Sequence, residues 1–148
     1  MEAIIEIVNT TKTKVNQRIV KSAAEAVLRG EIAQTEVPIE VSIAFVSPQK
    51  IKLLNKKWRG IDCPTDVLSF SENDEKQFKA PLKFLGELVI CPKQVAADAK
   101  ELGKNIDSEL AWVVIHGILH LLGYDHKRTS DEKTMKNKEK QYLALIKF

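Results

Sequence analysis

From Leu110 to Leu122 the chain is apolar on every side of a helix, since Ala111, Trp112, Val113, Val114, Ile115, Ile118, Leu119 and Leu121 leave only His116, Gly117 and His120 as exceptions. A helix without a polar stripe has no face to turn to water, so this one must lie at the centre of the fold. It is too short for a membrane span, which needs about 20 apolar residues, and therefore marks a globular core. Each imidazole it buries would cost about 1–3 kcal/mol without a partner. Four residues apart, the two rings stand one above the other on a single helical face, where they can share a metal ion.

His126 is the last of the chain's three histidines. Gly123 lies between it and the helix, and a glycine in the left-handed conformation ends a helix and lets the chain swing back across that end. This return predicts His126 beside His116 and His120. Three neutral histidines leave one corner of a tetrahedral zinc open, which is the catalytic pattern rather than the closed structural one. One zinc ion per chain is expected, with nickel, cobalt and copper also suited to nitrogen donors.

The spacing matches the long zincin motif H-E-x-x-H-x-x-G-x-x-H at every position except the second, where Gly117 replaces the glutamate base of the proteases. The run from His116 to His126, together with Pro64-Thr65-Asp66-Val67-Leu68-Ser69-Phe70 upstream, resembles the YbeY-type endoribonucleases, metal-binding factors that mature the ends of ribosomal RNA. The resemblance implies a single-strand-specific endoribonuclease that trims precursor ribosomal RNA and assists quality control of the small ribosomal subunit. Ribosomal RNA and that subunit are then the partners, and no DNA is expected. An arginine of the family precedes the PTDVLSF run and matches Arg59, whose planar fork suits a substrate phosphate.

A zinc held by three histidines lowers the pKa of its water from about 16 to about 7, which serves carbonyl and phosphoryl centres alike. Peptide hydrolysis also needs a base to carry a proton to the leaving nitrogen, and Gly117 cannot do so. Two further readings remain: a zincin-like hydrolase of peptides or amides, and a ribosome-assembly protein in which the metal only holds the fold. Asp125 is a candidate second acceptor that orients a ligand histidine or, equally, a turn-forming aspartate. Asp66 and Glu87 are weaker candidates for proton transfer. Met135 follows the third histidine but falls in a helix and is read as core.

At 148 residues the chain is one ordinary domain, 1–148, able to bury about two thirds of its unfolded surface. A net charge of +3 does not by itself announce nucleic acid, and no stretch is long enough to span a membrane. The opening residues carry acid where a signal peptide carries base, and Cys63 and Cys91 lack paired spacing, so a cytoplasmic location with free thiols is expected.

Hydrophobic periodicity predicts a strand at 3–9, a helix at 14–29 closed by Gly30, and a strand at 38–46. Ser47-Pro48 opens a helix that places Ile51, Leu54 and Trp58 inward and ends in the basic tip Lys56-Lys57-Trp58-Arg59-Gly60. Strands at 66–70 and 85–90 flank a polar loop from Ser71 to Lys83, and Cys91-Pro92 opens a helix that Gly103 stops. Asn105 and Asp107 are candidate caps of the histidine helix. A capping box at Thr129-Ser130-Asp131-Glu132 starts a last helix, largely a solvated cover with Met135, Tyr142, Leu143 and Ile146 among mixed charges. The fold class is α+β, a mixed sheet of about four strands backing the metal helix.

Overall fold

The structure is a computed structural model and describes residues 1–32, 35–72, 82–125 and 127–148. Its elements are β1 (Ala3–Asn9), α1 (Gln17–Glu31), β2 (Ile39–Phe45), α2 (Pro48–Arg59), β3 (Val67–Ser71), β4 (Lys83–Ile90), α3 (Pro92–Leu102), α4 (Ile106–Leu121) and α5 (Thr129–Leu143). The sheet order is β1-β2-β4-β3, with β1 and β4 parallel to β2 and the edge strand β3 antiparallel to β4. The α+β class and the mixed sheet are as the sequence predicts.

Alternation along β2 buries Ile39, Val41, Ile43 and Phe45 on one face. Onto that face pack Ile19, Ala23 and Val27 of α1 and Val114, Ile115 and Ile118 of α4, joined by Leu88 of β4. Helix α4 touches α1, α3, α5, β3 and β4, so its lack of a polar stripe is answered by neighbours on all sides. Full burial of each large aliphatic side chain there contributes about 1.5–3 kcal/mol. A smaller cluster of Val46, Ile51, Leu68, Val89 and Cys91 places α2 against the opposite face, since Leu88 and Val89 are successive strand residues. No helix among the described residues is long and apolar enough to cross a membrane. Both cysteines are free thiols, Cys63 exposed and Cys91 buried.

Several boundaries differ from the sequence expectation. Helix α1 starts at Gln17 rather than at 14 because the Asn16 side chain accepts a hydrogen bond from the Ile19 amide, 3.3 Å. Gly30 does not close this helix but lies within it. A Cβ there would stand 2.4 Å from the Tyr142 ring, so glycine is required for the approach of α5. Helix α2 is capped by Ser47 and runs to Arg59, where left-handed Gly60 ends it. Trp58 is not inward but 60% exposed.

The Thr129 capping box does not form, since Arg128 is the N-cap residue and makes no side-chain cap bond. Ser71 and Lys83, read as loop, belong to β3 and β4, and residues 73–81 of that loop lie outside the described residues. Between Glu40 and Val41 the β2–β4 register skips Leu85, and Gly86 follows at φ 145° with the Phe70 carbonyl oxygen 2.3 Å from where a Cβ would be. Only glycine fits that position.

Candidate metal centre and substrate cleft

Asn105 starts α4 by accepting from the Asp107 amide at 2.8 Å, and the helix runs to Leu121 with its two histidines one turn apart. Nε2 of His116 lies 3.2 Å from Nε2 of His120, with the ring planes at 83°. Two nitrogens bound at 2.0–2.1 Å to one tetrahedral zinc stand about 3.3 Å apart. The pair therefore fits the edge of such a site, and neutral imidazole is the donor such a metal takes.

The helix then ends as the sequence predicts. Gly123 has φ 98°, its amide donates to the His120 carbonyl (3.0 Å), and the Tyr124 amide donates to the Leu119 carbonyl (3.0 Å). This paired arrangement is the Schellman termination. The Tyr124 hydroxyl donates to Glu31 at the end of α1, and Glu31 also accepts from the Tyr142 hydroxyl and from Lys138 Nζ (3.0 Å). Burial pushes the Glu31 carboxyl up, but the two tyrosines and Lys138 outweigh it and hold it below its ordinary value. Burial and the bond to Glu31 raise the Tyr142 phenol. His126, the third expected ligand, lies outside the described residues.

His116 has a partner that sequence reasoning missed. Its Nδ1 lies 2.9 Å from Oε1 of Glu139 on α5, while Trp112 Nε1 donates to Oε2 of the same carboxylate at 2.7 Å. The Trp112 and His116 rings stack at 4.8 Å. Glu139 is 8% exposed, and burial alone would raise its pKa. The bonds from His116 and Trp112 dominate and hold it low, hence ionised. An ionised carboxylate only accepts, so Nδ1 of His116 is the donor in this contact, and Nε2 is the ring nitrogen that faces His120. The signal was available, because Met135, Glu139 and Tyr142 are all buried at helical spacing. A glutamate in a core stripe demands a partner.

A cleft of about 500 Å³ opens over the histidine pair and runs along β3 to the end of α2, with Arg59, Trp58, Asp66, Phe70, His116 and His120 among its lining. The structure thus brings Arg59 to the same cleft as the two histidines. Asn55 positions this rim by donating from Nδ2 to the Cys63 carbonyl, 2.9 Å. Trp58 meets Phe70 edge to face at 5.9 Å, and Lys57 Nζ lies 5.1 Å from its ring centre.

Asp66 lines the cleft while its Oδ1 accepts from the Val67 amide at 2.8 Å. Glu87 is not among the described residues lining it. Asp125 forms a half-exposed ion pair with Lys127, 3.8 Å. Met135 is buried core. Gly117 faces the sheet, where a Cβ would stand 2.8 Å from Leu88 Cδ2. The helix comes too close there for the glutamate of a protease.

Comparison with known proteins accords with this architecture. The model of the Endoribonuclease YbeY family matches residues 6–147. An Endoribonuclease YbeY of Roseiflexus sp. (strain RS-1) is 39% identical over 147 residues, covering 96% of this chain and 91% of its own. That of Chloroflexus aggregans (strain MD-66 / DSM 9485) is 36% identical over 151 residues, covering 99% and 97%. The solution structure of TM1509 from Thermotoga maritima superposes with TM-score 0.62 at 35% identity, over 95% of this chain and 87% of that one. With the family match running through the histidine helix, the PTDVLSF strand and nearly all else, the chain belongs to the YbeY endoribonuclease family.

Proposed function

We propose that the protein is a metal-dependent endoribonuclease that cleaves single-stranded RNA, with ribosomal RNA and the small ribosomal subunit as its setting. The observation that carries this reading is the His116–His120 pair, Nε2 to Nε2 at 3.2 Å, in a cleft that Arg59 also lines. His116, His120 and His126 would hold one zinc ion. When bound, it supplies Lewis-acid activation of water at neutral pH.

The chain's own residues supply the rest. Arg59 binds and orients the phosphodiester, its guanidinium placing positive charge against the non-bridging oxygens. The neighbouring Lys56 and Lys57 add to the field that draws a polyanion toward this end of the cleft. The exposed Trp58 ring offers a stacking surface for an unpaired base, which favours single strands over duplex. Gly117 supports phosphodiester over peptide chemistry, because a phosphodiester releases an alkoxide while an amide needs a proton delivered to nitrogen.

The test is elemental analysis of protein purified without chelator, followed by incubation with unstructured RNA, duplex RNA and casein. One zinc per chain, lost in His120→Ala, and cleavage confined to unpaired RNA are expected. A metal-free wild type, or casein cleavage without RNA cleavage, refutes the reading.

A further inference from the structure

We propose that Glu139, on the last helix, is the positioning residue that orients His116, accepting from its Nδ1 so that Nε2 is turned toward Nε2 of His120. The inference rests on reading His116 as a metal ligand, and extends it to a residue outside the histidine motif. Glu139 bridges two donors on α4, His116 Nδ1 on Oε1 and Trp112 Nε1 on Oε2. Those donors are one helical turn apart and their rings stack, so a single carboxylate from α5 orients both.

Only a carboxylate can satisfy this arrangement, because both atoms facing α4 must accept. An amide of the same shape presents one oxygen and one NH2. With Gln at 139, either Trp112 or His116 faces a donor. When it is His116, the ring must put its lone pair on Nδ1 and its proton on Nε2, the nitrogen that a metal needs free. Groups that orient a ligand histidine in this way typically account for 10–100-fold in metal affinity. Glu139 touches neither substrate nor the open coordination position, and acts through His116.

The experiment uses the full chain, wild type and Glu139→Gln, in two measurements. First, nitrogen-detected NMR on chelator-treated protein reads the His116 tautomer directly. The wild type is expected to hold the Nδ1–H form, and Glu139→Gln to gain the Nε2–H form. Second, zinc titration against a chromophoric chelator is expected to show roughly 10–100-fold weaker binding in Glu139→Gln. Thermal unfolding of both metal-free proteins separates loss of fold from loss of orientation.

If Glu139→Gln melts lower but keeps the wild-type tautomer and zinc affinity, the carboxylate is merely structural and the proposal is overturned. If wild-type protein binds no zinc, the metal reading fails by itself. The tautomer comparison then still decides the role of Glu139: a change supports it and identical spectra refute it.

Discussion

Replacing Gly117 by alanine tests how closely the histidine helix lies on the sheet. The added methyl would stand 2.8 and 3.0 Å from the two terminal carbons of Leu88 and 3.4 Å from a Val67 methyl, against ordinary carbon contacts of about 3.5–4.0 Å. Leu88 is wholly buried in the main core, so its carbons can retreat only by displacing packed neighbours. Such overpacking costs about 1–3 kcal/mol. Alanine returns about 1 kcal/mol of helix propensity over glycine.

The balance predicts a loss of up to about 2 kcal/mol for Gly117→Ala, which lowers Tm by up to about 6 °C in a chain of this size. Urea and thermal unfolding of wild type, Gly117→Ala, Leu88→Val and the double variant complete the cycle. Because valine lacks the two offending carbons, the double variant is expected to recover about 1 kcal/mol relative to the sum of the single losses. A Gly117→Ala protein more stable than wild type, or strict additivity in the cycle, would show that the helix and sheet are not in tight contact and refute the reasoning.

Arg59→Gln is expected to leave the unfolding free energy within about 0.5 kcal/mol of wild type, since Arg59 is an exposed residue on the last turn of α2. Filter binding of single-stranded RNA at several salt concentrations should show a slope of log affinity against log salt reduced by about 0.7. Glu31→Gln is expected to flatten the acid limb of the stability profile. Its folded pKa lies below the ordinary 4.5, so its contribution is complete above that value and disappears as pH falls through the lowered one. Thermal melts of both proteins across that window check it, the oppositely shifted Glu109 being common to both. Gly30→Ala forces the Tyr142 ring out of its buried place and is expected to cost about 3 kcal/mol, read by urea denaturation.

What the sequence made legible was local. The four-residue spacing of His116 and His120, the all-apolar helix that carries them and the Gly123 stop are properties of a single turn or two, and each is found as expected. What it hid depends on residues far along the chain. Gly30 reads as a helix stop until Tyr142 is seen against it. Trp58 reads as core by spacing, yet its partner is the edge-strand Phe70 at the cleft rim. Glu139 is camouflaged among lysines and glutamates of a helix that looks like solvated cover, because charge on a helix is usually surface and only the third dimension shows which side it faces.

Glu31 accepts from Tyr124 of the turn after α4 and from both Lys138 and Tyr142 of α5. The turn is thereby moored to the first and last helices as well as to the one it follows. In a protein that opens piecewise, such mooring decides which segments part company together. Amide protons of residues 122–124 are therefore expected to exchange in step with those of α5, which hydrogen exchange followed by NMR would read.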